Sequence, residues 1–164
     1  MTSDISITTC SHKETSLFGE LLGEVVPKGT VLTLEGDLGS GKTTLVQGLA
    51  KGLGVSDTYY ITSPTYTLIH EYTGKCRFFH VDLYRLTNLL ELEELGLEEI
   101  LSGDAVVAIE WPDRLPRNYP ATCLSIKLDT VDEDIRRIIV SLRGLENQDL
   151  IGEIEKKLKE RKWR

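Results

Sequence analysis

With 164 residues, 40% of them hydrophobic and 27% charged, the chain is long enough for one globular domain with a hydrophobic core but hardly for two. The net charge is −7, yet residues 156–164 (KKLKERKWR) carry +5, so that the remaining residues carry −12. An acidic body of this kind argues against binding of nucleic-acid phosphates by the main domain, because such binding needs clustered Lys and Arg. Only the C-terminal residues could serve that role.

The lack of a recognisable targeting signal and the pattern of cysteines predict a cytoplasmic protein. No apolar run approaches the length of a membrane helix, and the N-terminus lacks the basic start and apolar centre of a secretory signal. The three cysteines are odd in number, widely spaced and in no CxxC pair. That pattern is neither a disulfide framework nor a zinc site, and it fits a reducing compartment.

The hydrophobic periodicity predicts helices that alternate with buried strands. In chain order we expect an edge strand at 5–9, a helix at 14–26, a strand at 31–34, a helix with its apolar stripe at 45–53, a hairpin of 67–72 and 76–82, a leucine-rich helix at 88–101, a buried strand at 105–109, and a second hairpin of 124–128 and 135–142. This order favours an α/β sandwich with antiparallel additions on a parallel centre.

A glycine-rich segment joins the strand at 31–34 to the following helix. Residues 36–43 (GDLGSGKT) fit G-x-x-x-x-G-K-[ST] at every fixed position. The glycines permit backbone angles that turn consecutive N–H groups onto a phosphate, and the helix start adds unpaired donors and a positive dipole end. Lys42 can reach the β- and γ-phosphates, and the Thr43 hydroxyl can bind Mg²⁺.

This motif predicts a site for a nucleoside triphosphate and a P-loop NTPase-like three-layer fold. The predicted nucleotide-binding residues are Asp37, Leu38, Gly39, Ser40, Gly41, Lys42, Thr43 and Thr44. Residues 1–145 are expected to form this single domain, and residues 146–164 a helical, basic tail.

Two carboxylates end apolar strands, where a P-loop fold directs them towards the phosphates. Glu110 has the cleaner hydrophobic lead-in, so we favour it as the Mg²⁺ carboxylate, either directly or through water. Asp82 is then a candidate to position a water or a metal-bound water. Lys42, Asp82 and Glu110 are thus the predicted catalytic residues, and Thr43 and Glu110 the predicted metal ligands. Both acids are also compatible with solvated strand ends.

The loop at 63–68 (SPTYTL) lies where switch loops sense the γ-phosphate, although it is also compatible with an ordinary turn.

Three other classes of P-loop protein are alternatives to an ATPase. A small-molecule or nucleotide kinase is the first, but residues 57–101 offer only Arg77 and Arg85 for the lid that such a kinase needs. A GTPase would need N-K-x-D to read the base and D-x-x-G after the second strand, and neither is present there, so adenine is the expected base. A nucleotide-gated binding module with negligible hydrolysis is a third class.

Five segments together resemble one family. GDLGSGKTTL, SPTYTL, HVDLYRL, ELEELGLEEIL and AIEWPDRLP, in this order and spacing, are similar to the TsaE (YjeE) family of P-loop ATPases needed to form threonylcarbamoyladenosine in tRNA, over about residues 9–116. The resemblance implies binding of ATP and Mg²⁺, slow intrinsic hydrolysis, and action with TsaB and TsaD. Hydrolysis would reset that complex, and tRNA would be reached only indirectly, through it.

The resemblance also implies roles for individual residues. Lys42 and the neighbouring backbone would hold phosphates, Thr43 and Glu110 would serve Mg²⁺, Asp82 would be a functional acid, and Trp111 would lie close to the nucleotide. Thr44, Thr65 and Tyr66 belong to signature segments without a defined role.

The remaining arginine, histidine and leucine patterns of the sequence are not assigned to the site. The family often has Gly-Arg before its last strand, where this chain has Ile-Arg-Arg at 135–137, so Arg136 is not assigned a nucleotide contact, nor 9–11 an adenine pocket. The histidines lack metal-ligand spacing and are expected to be structural or on the surface. The leucines of 89–101 are expected in the core rather than in a partner groove. The apolar residues of the tail are expected to dock on the body; they are Leu150, Ile151, Ile154 and Leu158.

Overall fold

The computed structural model describes residues 4–64, 66–144 and 148–163, which form one seven-stranded sheet with helices on both faces. The strands are β1 (Ile5–Thr9), β2 (Val31–Glu35), β3 (Ile69–Thr73), β4 (Arg77–Asp82), β5 (Val106–Glu110), β6 (Cys123–Thr130) and β7 (Arg136–Arg143). The helices are α1 (His12–Val25), α2 (Lys42–Gly52), α3 (Leu90–Glu94), α4 (Leu97–Ser102) and α5 (Gln148–Glu160), with a 3-10 turn at Pro112–Arg114.

The sheet has parallel central strands and antiparallel margins. Its order is β1-β7-β6-β2-β5-β4-β3, and β6, β2, β5 and β4 run parallel. Both predicted hairpins are present, since β3 pairs antiparallel with β4 and β6 with β7, while β1 forms an edge beside β7. The predicted fold class is therefore confirmed. Because β2, β4 and β5 are parallel, their carboxyl ends meet at one edge of the sheet.

Side-chain alternation in the central strands covers both faces of the sheet. Leu32 and Ala108 pack in one apolar cluster with α1, α2 and α5, whereas Val31 and Val107 pack in another with α3 and α4. This is the expected result for strands that read as continuous apolar runs. The sheet is the middle layer of three.

Helices α1 and α2 touch along their backbones. A Cβ atom added at Gly19 or Gly23 of α1 would overlap the α2 backbone, and one added at Gly48 or Gly52 would overlap α1. Helix α1 starts at His12, two residues before the predicted start, because Ser11 caps it by accepting the Glu14 N–H at 3.1 Å. This close contact fixes the position of α2, the helix that follows the P-loop, relative to α1.

The predicted helix at 88–101 is wrong in one respect, since it is two short helices. Gly96 adopts φ 73 between α3 and α4, a left-handed conformation that ends a helix. Leu92 and Leu97 are buried, as expected for core leucines, but Leu89 and Leu90 are exposed. The leucine stripe is thus only partly core.

Helix α5 packs on α1 with the apolar residues that the sequence predicted for docking. Ile154 is fully buried and Leu158 nearly so, Arg161 forms an ion pair with Glu24 at 2.6 Å, and the Trp163 ring meets Phe18 edge-on. The predicted domain boundary between 145 and 146 lies outside the described residues, and the division into domain and tail stays a prediction. Within the described residues, no helix combines the length and apolar character needed to cross a membrane.

Candidate nucleotide-binding site

The P-loop connects the end of β2 to the start of α2. Gly39 and Gly41 adopt φ 78 and 101, which other residues rarely do, so the motif glycines are needed for this loop path. The first helical bond of α2 runs from the Leu45 N–H to the Gly41 carbonyl at 2.9 Å. The preceding N–H groups, from Lys42 to Thr44, therefore lie at the positive end of the helix, where anions bind.

Lys42 is a buried cation at the centre of this loop. Its side chain belongs to a residue only 5% exposed, and its ammonium donates to the Gly36 and Asp37 carbonyls. Burial lowers the pKa of Lys42, and the carboxylates of Glu110 and Asp82 act against that shift. A buried positive charge beside a helix start is an electrostatic site for phosphate.

Glu110 is held at both carboxylate oxygens. The Thr43 hydroxyl donates to its Oε1 at 3.0 Å, and His80 Nε2 lies 2.7 Å from its Oε2. Both His80 and Glu110 are buried, and they sit on the neighbouring parallel strands β4 and β5. The carboxylate is therefore fixed in orientation next to the Thr43 hydroxyl.

Asp82 lies directly opposite Glu110 in the β4–β5 register. Its Oδ2 accepts from the Ser63 hydroxyl, and its Oδ1 accepts from the Tyr84 N–H at 2.9 Å. The start of the 63–68 loop is thus tied to the second acid, as a switch segment would be. Tyr66 of this loop is 84% exposed, and Thr65 lies outside the described residues.

Trp111 lines the same cavity as Glu110 because the chain turns there. Simple strand alternation places consecutive side chains on opposite sides, but Trp111 has φ 61 and begins the 3-10 turn. Its ring lies 4.3 Å from the Lys42 ammonium and 4.9 Å from the Tyr84 ring, measured between centroids. The indole therefore forms one wall of the cavity beside the Lys42 ammonium.

These groups surround a cavity of about 450 Å³. Of the predicted residues, it is lined by Leu38, Gly39, Gly41, Lys42, Thr43, Thr44, Asp82, Glu110 and Trp111. The structure brings these residues together, whereas Asp37 borders a neighbouring cavity and the Ser40 side chain is buried beneath the loop.

Five further residues belong to the site without having been assigned to it individually, although Ser63 begins the loop that the sequence marked as a candidate switch segment. Four of them line the cavity: His12, Ser63, Tyr84 and Arg85. The fifth, His80, does not line it but contacts the Glu110 carboxylate through Nε2. Reading His80 as structural or on the surface missed its contact with a site carboxylate. The signal was available, because His80 stands two residues before Asp82 and therefore shares its side of the strand.

The side chains of this site can supply part of the coordination shell of a magnesium ion, and phosphate oxygens would have to complete it. Among the described residues, no group of three or more His, Cys, Asp or Glu residues could hold a metal ion. Mg²⁺ in phosphoryl-transfer sites takes one or two protein ligands and completes its shell with phosphate and water oxygens. The Thr43 hydroxyl and the Glu110 carboxylate, 3.0 Å apart, match that donor set.

Comparison with known proteins gives one consistent result. The family described as "Threonylcarbamoyl adenosine biosynthesis protein TsaE" matches residues 9–139. The tRNA threonylcarbamoyladenosine biosynthesis protein TsaE of Nostoc sp. strain PCC 7120 is 46% identical over 150 residues, covering 87% of this chain and 89% of the relative. The protein of the same name from Bacillus subtilis strain 168 is 37% identical over 149 residues, covering 90% and 92%.

A solved structure agrees with these relatives. The crystal structure of Bacillus subtilis YdiB superposes with a TM-score of 0.80 and 30% sequence identity, over 96% of this chain and 97% of that one. The fold is P-loop NTPase-like, as the glycine-rich motif predicted. Sequence, fold and site geometry agree, and the chain belongs to the TsaE family.

Proposed function

We propose that this protein binds ATP with Mg²⁺ and hydrolyses it slowly, as one component of the machinery that forms threonylcarbamoyladenosine in tRNA. The observation that carries the proposal is the meeting of Lys42, Thr43, Asp82 and Glu110 in one cavity at the carboxyl edge of the parallel strands. The TsaE name of the relatives supplies the pathway.

Each side chain has a distinct task in this proposal. The Lys42 ammonium and the first N–H groups of α2 bind the β- and γ-phosphates. Thr43 and Glu110 hold Mg²⁺, which neutralises phosphate charge when bound. Asp82 orients the attacking water from the neighbouring strand β4, and the Ser63 hydroxyl holds its carboxylate in place. Trp111 and Tyr84 exclude bulk water from one side of the phosphates.

Partner proteins supply the context in which hydrolysis is useful. We infer that the protein acts with TsaB and TsaD, and that hydrolysis resets their complex between turnovers. The net negative charge of the body, residues 1–155, is consistent with a protein that reaches tRNA only through those partners and does not bind its phosphates directly. Slow hydrolysis by the isolated protein follows if the partners complete the site.

The test is the ATPase rate with and without purified TsaB and TsaD. We expect a low rate alone, a clear increase with both partners, and loss of both rates in Lys42→Ala. Lys51→Ala is the matched control, because Lys51 lies on the same helix, is exposed and pairs with Glu20 at 3.7 Å. The absence of stimulation would contradict the partner assignment. Transfer of the γ-phosphate to a nucleoside or small acid, instead of release as inorganic phosphate, would establish the kinase alternative.

A further inference from the structure

Arg136 is a buried arginine that donates hydrogen bonds to main-chain carbonyls of the P-loop. It begins β7 and is 8% exposed, whereas its neighbour Arg137 is exposed and pairs with Asp129 at 3.5 Å. Arg136 Nε donates to the Ser40 carbonyl at 3.0 Å, and Nη2 donates to the Gly39 carbonyl at 3.2 Å. The side chain thus bridges two parts of the chain that are 96 residues apart.

The other end of the guanidinium is anchored in the turn between β6 and β7. Its Nη1 donates to the carbonyls of Asp132, Glu133 and Ile135 at 2.9, 3.0 and 3.1 Å. A guanidinium has five N–H donors in a rigid plane, so it can fix several carbonyls at once, which a lysine cannot. The turn therefore holds the arginine, and the arginine holds the loop.

We propose that Arg136 is a positioning residue that presets the P-loop for phosphate, an inference that rests on the proposed nucleotide binding. A trans peptide carries its C=O and N–H on opposite sides. When Arg136 holds the Ser40 carbonyl, the N–H of the same peptide, that of Gly41, is directed the other way. Gly41 lines the cavity, so its N–H is presented to the phosphate.

The neighbouring peptide is fixed in the same manner. Arg136 holds the Gly39 carbonyl, and the Ser40 N–H of that peptide donates to the Asp37 carbonyl at 3.0 Å, which closes a turn. Both ends of the segment between the two left-handed glycines are therefore restrained. Without this restraint, Gly39 and Gly41 would leave the loop with many conformations, and ordering them would cost binding free energy.

Arg136 also adds a buried positive charge close to the loop. Its five acceptors among the described residues are neutral main-chain carbonyls, so none of them cancels the charge of the guanidinium. Because the cavity lining includes Gly39 and Gly41 but not Arg136, the residue acts through the loop and does not touch the nucleotide.

The test is calorimetric titration of ADP with Mg²⁺ into Arg136→Gln and its matched control, Arg143→Gln. Arg143 lies at the opposite end of β7, is half-buried, and also donates to a main-chain carbonyl, that of Pro120 at 3.0 Å. We expect ADP affinity to fall at least about tenfold in Arg136→Gln, since charge-assisted hydrogen bonds that preset the loop are lost. Arg143→Gln should bind like the wild-type protein.

Arg136→Lys separates positioning from charge and serves if the glutamine variant does not fold. It keeps the cation but loses the planar fork, so its ADP affinity should stay at least about fivefold below wild type. Recovery to wild-type affinity would overturn the positioning role, as would equal affinities of Arg136→Gln and Arg143→Gln. If the wild-type protein binds ADP and Lys42→Ala does not, these outcomes leave the proposed function standing; a wild-type protein without affinity would refute both.

Discussion

Glu110 and Asp82 end adjacent strands, yet their carboxylates have different hydrogen-bond partners. Glu110 is 2% exposed, with one oxygen on the Thr43 hydroxyl and the other beside His80. Asp82 contacts the 63–68 loop through Ser63 instead. The Glu110 carboxylate is held beside the start of α2, and the Asp82 carboxylate is hydrogen-bonded to the loop proposed as a switch segment.

Removing the charge of Glu110 should separate hydrolysis from binding. We expect Glu110→Gln to lower the ATPase rate about 100-fold, because Glu110 would hold the Mg²⁺ that neutralises the charge developing during phosphoryl transfer. ADP affinity measured by calorimetry should change only a few-fold. Glu35→Gln is the control, since Glu35 also ends a parallel strand but is exposed. An active Glu110→Gln protein would move the metal role to Asp82.

Trp111 should report nucleotide binding through its fluorescence. Its indole lies 4.3 Å from the Lys42 ammonium, so a phosphate that binds this ammonium changes the field at the ring. The background of the other tryptophan is removed by Trp163→Phe, which keeps an aromatic ring against Phe18. Titration with ADP and Mg²⁺ should alter the emission of this variant. Unchanged emission in a protein that binds ADP by calorimetry would place Trp111 away from the nucleotide.

At the scale of elements, the contact between α1 and α2 decides how α2 presents its N-terminus. Glycines at positions i and i+4 of both helices allow their backbones to touch: Gly19, Gly23, Gly48 and Gly52. The same glycines weaken each helix in isolation, because glycine loses more conformational freedom on folding than alanine does. Packing compensates for that loss, and the P-loop helix is fixed where the carboxylates can reach it.

A methyl group in this contact should destabilise the protein. Gly48→Ala would place its Cβ atom on the Ser16 carbonyl oxygen, and overpacking of this kind costs about 1–3 kcal/mol. Gly152→Ala is the matched control, since it lies in α5 with open space within 4 Å and should gain about 0.5–1 kcal/mol from helix propensity. Urea denaturation of the two variants measures the difference. A Gly48→Ala protein of wild-type stability would contradict the close contact.

At the scale of the whole molecule, α5 shares the apolar cluster of α1 and α2. Ile154 is 0% exposed in that cluster, and the exposed side of the helix carries its charged residues. Among the residues whose side chains are described, none of α5 lines the candidate site. Stability and nucleotide binding should therefore separate here.

Truncating Ile154 tests that separation. Ile154→Ala should lower the free energy of unfolding by about 2–5 kcal/mol through lost burial and the cavity left behind. The ADP dissociation constant, measured at a temperature where the variant is folded, should stay within about twofold of wild type, as binding does not use α5. A small loss of stability would favour the predicted division at residue 145, with α5 as a separate tail. Weakened ADP binding would show that α5 shapes the site.

Local features of this protein were predictable because their chemistry is local. A P-loop binds phosphate with consecutive main-chain groups, so G-x-x-x-x-G-K-[ST] between a strand and a helix is sufficient to locate it. Apolar runs that end in an acid located Asp82 and Glu110, since parallel strands share one carboxyl edge. The same periodicity predicted both hairpins and the layered α/β fold.

Contacts between distant segments were decided only by the tertiary structure. His80 meets Glu110 because β4 and β5 are neighbours in register, and Arg136 reaches the P-loop because the start of β7 returns beside it. Trp111 enters the cavity through a left-handed turn that strand alternation does not contain. The two-residue spacing of His80 and Asp82 places them on one side of β4, but which residues they and Arg136 contact depends on sheet order and backbone path. The sequence by itself determined which groups are expected to bind phosphate and which acids lie beside them, because a P-loop and the ends of apolar strands are local patterns. The packing of the sheet decided which side chains hold those groups in place.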